Sequence, residues 1–334
     1  MENLSRANSA FALDLYRAIS ADRPGANLFF SPLSISAALG MVYLGARGAT
    51  AEEMAKVLSF SSVPDVHNNF KSLNSAINSP KSSYILRLAN RLYGEKTFSF
   101  LSPGTVTAMT RLALVNAIYF KGKWKHLFNT ENTKEMPFKI NQKETKPVQM
   151  MYQSKKFLFN YVDEYRLQVL DLPYEEEELS MVVLLPEETQ DGSDPLHKLE
   201  SELTVDKLLE WTNQEKMDRG ADVNVHLPKF KLEENYSLKD ILDKMGMSSL
   251  FQPGTADLTG ISSKEGLFVS SVEHKAFVEV NEEGTEAAAA TGIVAMLLCL
   301  VLDKNFMADH PFLFFIRHNP TKSILFFGRF SSPQ

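Results

Sequence analysis

Residues 281–306 read NEEGTEAAAATGIVAMLLCLVLDKNF, and the fold turns on what this stretch is. It opens on Glu282 and Glu283, passes Gly284 and four alanines, and climbs into an uncharged apolar run that ends at Asp303 and Lys304. A membrane helix fails on length. The run between Glu286 and Asp303 falls short of the roughly 20 apolar residues a span needs, and it holds Thr291 and Gly292. Helix propensity alone favours an alanine-rich helix, but Thr291 and Gly292 would sit in its middle and no polar face follows them. As an extended segment, Thr285, Ala287, Ala289, Thr291 and Ile293 share one face, small and then apolar. Glu286, Ala288, Ala290, Gly292 and Val294 share the other, whose charge would stay in water. Small side chains let such a strand slide between two others without overpacking them. Phe277, Val278 and Val280 give a short β signal just upstream, and Gly284 permits a bend that other residues resist.

The rest of the chain is ordinary globular material. Of 334 residues, 44% are hydrophobic and 23% charged, with a net charge of -6. The mild acidity and the lack of any long Lys/Arg block argue against a nucleic-acid partner. Cys299 is the single cysteine, which leaves no internal disulfide. MENLSRANSAFALDLYRAIS lacks the basic lead and apolar core of a signal peptide; it reads as an amphipathic helix with Phe11, Leu15, Ala18 and Ile19 on one face. Together these favour the cytoplasm, with an export route that needs no cleaved signal left open.

Helices come first. Ser31 is placed to cap a helix with Pro32 at its first position and Ile35, Leu39 and Val42 on one face. Thr50 and Glu53 have the spacing of a capping box. Residues 111–124, RLALVNAIYFKGKW, read as a strand buried on both faces. LQVLDLPY and LSMVVLLP flank the acidic run 175–178 as a hairpin whose charged tip is solvated. Leu196, Leu199, Leu203 and Leu208 carry one helix; Ser237 and Asp240 start another, with Gly246 after its end. Residues 311–330 form two apolar strands around a turn at Asn319 and Pro320. Without repeats, linkers or a boundary, the inventory predicts an α+β protein built as one body over 1–334.

Nothing in it points to an enzyme. There is no Gly-x-Ser-x-Gly elbow, no phosphate-binding glycine loop and no His-Glu-x-x-His; the seven histidines are scattered, and metal-ligand spacing is absent. Cys299 has no base nearby in sequence, so it reads as a small apolar side chain. No cofactor or metal is expected.

At this point the residues resemble a family. Glu282, Glu283, Gly284, Thr285, Glu286, Ala287, Ala288, Ala289 and Ala290 resemble the hinge of an inhibitory serpin. FFSPLSISAAL resembles the serpin shutter helix, LVNAIYFKGKW the third strand of its main sheet, VEHKAFVEVNEEGTEAA the fifth strand leading into the hinge, and ADHPFLFFIRHNPTKSILFFGRFSSP the buried C-terminal hairpin. The resemblance runs from the first helix to the last residue and is strongest to the intracellular ovalbumin-type branch. It implies a mixed sheet A with smaller sheets B and C, surrounding helices, and a reactive loop over about 282–303. It also implies a suicide-substrate inhibitor of a serine protease. Cleavage of the loop gives an acyl-enzyme, and the loop then enters sheet A as a new strand and distorts the protease. Strand insertion of this kind releases stored strain.

Carried over by position, the reactive bond lies between Leu298 and Cys299, with Met296, Leu297 and Leu300 as alternative bait. A leucine suits the apolar primary pocket of an elastase- or chymotrypsin-like protease rather than the aspartate-bearing pocket of trypsin. Ser31, Ser34, Asn116 and His274 resemble the shutter network beneath the sheet, Trp124 the breach tryptophan, and Glu282 with Lys229 a hinge ion pair that contributes little if exposed. A monomer is expected.

One departure stands out. After RLYGEKTFSFL the family continues through a helix, an edge strand of sheet A and a helix lying across that sheet, whereas this chain passes directly to SPGTVTAMTRLALVNAIYF. The loss would expose apolar side chains on one face of the sheet and leave a new edge. It also leaves alternatives to a working inhibitor: a non-inhibitory interaction protein, a spliced form with a defective trap, or a chain that does not fold alone.

Overall fold

In a computed structural model, residues 1–78, 83–94, 112–189, 194–220, 222–261, 266–284 and 304–333 are described. The chain begins with α1 (Glu2–Asp22), which buries Phe11, Leu15 and Ile19 and leaves Ala18 half-buried. A short strand, β1 (Leu28–Phe30), leads into α2 (Pro32–Tyr43). Ser31 caps α2 as expected: its hydroxyl oxygen accepts the Ser34 N–H at 3.2 Å, with Pro32 in the first turn.

The capping box does not form. Helix α3 (Gly48–Val57) starts before Thr50. Thr50 Oγ1 instead accepts the Asp257 N–H at 3.0 Å, and Glu53 Oε2 accepts the Ser249 N–H at 2.8 Å and the Ser249 hydroxyl at 2.7 Å. These side chains hold a distant loop rather than their own helix. Helix α4 (Val66–Ile77) ends the helical part.

Strands β2 (Ile85–Gly94), β3 (Leu112–Lys121), β4 (Lys134–Lys139), β5 (Thr145–Lys156), β6 (Leu158–Val162), β7 (Leu167–Pro173) and β8 (Leu179–Pro186) follow. Then come α5 (Pro195–Glu202), α6 (Val205–Trp211), β9 (Asp222–Pro228), β10 (Phe230–Ser237), α7 (Lys239–Lys244) and β11 (Val269–Val280). The chain closes with β12 (Lys304–Met307), β13 (Phe312–His318) and β14 (Ser323–Phe330). Three sheets result, in the orders β10-β11-β3-β2 (sheet A), β1-β14-β13-β8-β7-β6 (sheet B) and β12-β9-β5-β4 (sheet C). The architecture is the α+β arrangement of three sheets and surrounding helices that was expected. Sheet A is mixed, because β11 runs parallel to β3 and the other pairs are antiparallel.

Local expectations fail where tertiary contacts decide. Strand β3 is not buried on both faces: Leu114, Asn116, Ile118 and Phe120 are buried, while Val115, Ala117 and Tyr119 on the opposite face are half-buried. The leucine run 196–208 makes two helices, because Leu203 turns extended and Thr204 caps α6 by accepting the Lys207 N–H at 3.3 Å. Ser237 ends β10 and donates to Glu273 at 3.3 Å instead of capping α7. Gly246 does follow the end of α7, at φ +113°. The acidic tip is exposed, yet its backbone is tied down: the Glu175 N–H donates to Lys123 O at 2.7 Å and the Asn319 amide to Glu177 O at 2.8 Å.

Every residue of β13 and β14 is buried. Phe326 stacks on Phe29 at 5.1 Å and meets Phe120 of β3 at 5.8 Å, so one ring joins sheets A and B. Phe326→Ala leaves a cavity at that junction. It is expected to lower stability by about 3–5 kcal/mol, read as a lower urea midpoint with an unchanged slope.

Candidate functional site

Strand β11 delivers the chain to the top of sheet A, where it turns at once. The Asn281 N–H donates to Gly284 O at 3.0 Å and the Gly284 N–H to Asn281 O at 3.2 Å, which closes a tight turn with Gly284 at φ +121°. A Cβ on Gly284 would lie 2.3 Å from Gly122 O and 2.8 Å from Trp124 N. Both the left-handed backbone and the close approach therefore require glycine. The turn is fixed to the segment that leaves β3: the Trp124 N–H donates to Glu283 O and the Phe128 N–H to Glu282 O, each at 2.8 Å. Trp124 also donates its indole N–H to Asn281 O at 2.9 Å and stacks on Tyr174 at 4.5 Å.

Glu282 is 6% exposed, so the carboxylate end of the pair is buried. Lys229 Nζ donates to Oε2 at 2.9 Å and to Oε1 at 3.1 Å, and the Thr133 hydroxyl donates to Oε1 at 2.8 Å. Burial pushes the carboxyl up, but Lys229, the backbone N–H and Thr133 outweigh it and hold Glu282 below the ordinary carboxylate range. This anchoring is therefore complete above the unfolded carboxylate pKa and is lost as pH falls through the lower folded value.

Deeper in the sheet, four of the expected residues meet. His274 of β11 and Asn116 of β3 are register partners, and the imidazole Nδ1 is hydrogen-bonded to Asn116 Oδ1. On its other side, His274 Nε2 accepts the Ser31 N–H at 3.1 Å, which leaves the ring proton on Nδ1. The Asn116 amide donates to Ser34 O at 3.2 Å and to Asn90 Oδ1. The Ser31 hydroxyl donates to Leu325 O at 2.6 Å, which fastens the network to β14. Complete burial depresses the His274 pKa to about 3, so the ring is neutral.

Of the predicted hinge, Glu282, Glu283 and Gly284 are seen in this arrangement. Thr285, Glu286, Ala287, Ala288, Ala289, Ala290 and the bond between Leu298 and Cys299 lie outside the described residues. Sequence reading missed Asn90, Thr133, Tyr174 and Asn281. They are polar or aromatic residues in strands and loops with no spacing signal, recognisable only once the strands are paired.

The geometry is that of a three-sheet body in which the strand leading to the turn at 281–284 lies parallel to, and directly bonded with, its neighbour, with polar contacts spanning the seam. The profile of the family "Serpin (serine protease inhibitor)" matches residues 6–103 and 99–333, two pieces that meet between β2 and β3. The chain is 49% identical to the leukocyte elastase inhibitor of Equus caballus and 48% identical to that of Homo sapiens, over 380 residues and the whole of both chains in each case. A crystal structure of maspin superposes with a TM-score of 0.90 at 34% identity, covering 100% of this chain and 99% of that one. The chain belongs to the serpin family. With 334 residues against 380 aligned, it is a shortened member.

Two outcomes are expected. Unfolded His274 takes up a proton below about pH 6.5 while the folded ring does not until about 3, so folding loses stability as pH drops through that window. At pH 5 the loss is about 2 kcal/mol. His274→Asn should therefore show a smaller fall in unfolding free energy between pH 7 and 5 than the parent, measured by urea titration. Gly284→Ala should displace the turn and raise acrylamide quenching of Trp124, read in a Trp211→Phe background.

Proposed function

We propose that this chain is a suicide-substrate inhibitor of an elastase- or chymotrypsin-like serine protease. The reactive loop spans about 282–303 of one serpin domain (1–334), and the bait bond lies between Leu298 and Cys299. The protein itself is not a catalyst: the protease supplies the nucleophile, and this chain supplies a bond to cut and a place for the cut end to go. Following the ovalbumin-type branch, it acts in the cytoplasm as a monomer.

The observation that carries this reading is the parallel pair β11 and β3. Partners run from Val269 with Leu112 to Phe277 with Tyr119. A chain that leaves β11 at Val280 and doubles back runs antiparallel to both strands. Inserting it replaces one parallel ladder by two antiparallel ones, which are more stable per residue. Once its far end is cut free, the small-side-chain face of 285–293 can enter between them without overpacking. Before cleavage, the His274–Asn116 contact and the turn gripped by Trp124 hold the seam shut. Both strands that would flank the inserted segment, β3 and β11, are present.

Mixing the protein with chymotrypsin, and separately with leukocyte elastase, should give a covalent adduct that survives a denaturing gel. Ala289→Arg, which places a long cation on the face that must enter the sheet, should be cleaved without forming it. The nicked parent should melt well above the intact chain. Clean cleavage by both proteases with no adduct and no rise in Tm would overturn the proposal.

A further inference from the structure

Strand β2 closes sheet A on one side. It pairs with β3 from Ile85 with Lys121 to Gly94 with Leu112, and no described strand lies beyond it. In an antiparallel ladder every second residue turns its N–H and C=O away from the partner strand. The 10 residues of β2 therefore carry a row of main-chain donors and acceptors along their outer edge. Side chains alternate across the strand. Leu86, Leu88 and Leu92 pack against the core but stay half-buried, and Asn90 joins them on the inner face, where it bonds to Asn116. Ile85, Arg87, Ala89 and Arg91 are exposed on the outer face. Neither β2 nor β3 contains an Asp or Glu. The register partners of Arg87, Ala89 and Arg91 are Tyr119, Ala117 and Val115, so both cations stand over apolar neighbours. The opposite edge strand, β10, differs: it carries Lys231 together with Glu233, which pairs with Lys275. Two copies of this chain joined antiparallel about Ala89 would set Arg87 against Arg91, and like charges directly opposite are destabilising. The edge is guarded against itself and complementary to an acidic strand.

We propose that the outer edge of β2 accepts an extended segment of a partner protein as an added strand, one in which apolar side chains alternate with acidic ones. Main-chain bonds supply the affinity of such an addition, and alternate side chains its specificity. Carboxylates four positions apart on the segment face Arg87 and Arg91. The apolar side chains between them then fall on the other face, beside Leu86, Leu88 and Leu92, and extend the core over these leucines. The residue opposite Ala89 is unconstrained in charge. A slip of one residue would turn the acids inward, so the register is specified. This site goes beyond the inhibitor reading and does not rest on it, because β3 lies between this edge and the seam with β11.

The probe is the dye-labelled peptide acetyl-Val-Glu-Val-Thr-Val-Glu-Val-amide, titrated into the full chain by fluorescence anisotropy. The control carries lysine in place of both glutamates. The glutamate peptide should bind about tenfold more tightly than the lysine peptide, and added salt should narrow the gap. Arg87→Glu combined with Arg91→Glu should reverse the preference. Both side chains are exposed, and an unchanged urea midpoint checks that this variant folds. Methylating the amide nitrogens of alternate peptide residues tests the main-chain bonds: one set should abolish binding and the other spare it, since one edge of the added strand faces β2. Amide hydrogen exchange should slow at alternate residues of β2 when the peptide is bound. No binding at millimolar peptide, the outcome where another part of the chain holds this edge, would overturn the proposal. Equal affinity for the lysine peptide, or equal loss with both methylated sets, would do the same. Protection confined to β3 and β11 would place the peptide in the seam and also overturn it. Adduct formation with protease is a separate readout, and its failure with peptide binding intact would leave this site standing.

Discussion

The bond between His274 and Asn116 is the constraint on which the rest depends. It crosses the one parallel seam of sheet A, and both partners are buried. Neighbouring strands lie about 4.8 Å apart. Admitting a strand between β11 and β3 doubles that spacing, and no side chain of this size can span it. The contact must break before anything enters. A neutral ring serves here because it can accept from Ser31 and donate to Asn116 at once. An imidazolium would lose the acceptor and sit as a charge where burial is complete. A single bond of this kind is worth only about 1 kcal/mol net, but leaving its donor or acceptor unpaired costs about 1–3 kcal/mol. The seam is thus held less by the bond itself than by the penalty for breaking it without replacement.

What makes the latch stiff is its attachment to sheet B. Ser31 ends the connection from β1 and begins α2, its hydroxyl is spent on Leu325 of β14, and its N–H on His274. Since β14 is buried along its whole length, the helix cannot drift to relieve strain in the seam. The turn at 281–284 closes the top in a different way, through backbone bonds to the segment leaving β3. One closure is made by side chains, the other largely by backbone. A stimulus that acts on one need not disturb the other.

Much of this was legible in the sequence, and the limits are physical. The Ser31 cap, the β13 and β14 hairpin and the bend at Gly284 each depend on residues close in sequence, so local pattern sufficed. Thr50 and Glu53 had the right spacing for a capping box, but the same hydroxyl and carboxylate met better partners in a loop some 200 positions away, at Asp257 and Ser249. Leucine spacing alone could not show that Leu203 would leave the helix. Asn90 and Thr133 join their networks through strand register and a tertiary approach, which no window of sequence contains. Ser31, Ser34, Asn116, His274 and Lys229 came from family resemblance; the first four share one hydrogen-bond network, and Lys229 reaches Glu282. Thr285 to Ala290 and the bait bond rest on sequence and resemblance alone.

The expectation of exposed apolar surface on the outer face of sheet A holds at Ile85 of β2, which is 44% exposed, and is tempered elsewhere. Loss of the crossing helix predicted exposed apolar surface. Among the described residues, Tyr119 and Phe277 are half-buried on that face, register partners stacked at 6.1 Å. Lys231 covers the Phe277 ring, and Lys275 pairs with Glu233 at 2.6 Å beside it. Charges of this kind guard a sheet against association. The aromatic pair spans the same seam as His274 and Asn116, so a strand entering between β11 and β3 separates it too. Such a stack is worth about 0.5–1.5 kcal/mol beyond its buried area. The seam is therefore closed on both faces of the sheet, by a polar network within and a stacked pair without. A shortened chain that keeps the outer pair keeps part of the barrier that holds a strand out until the loop is cut.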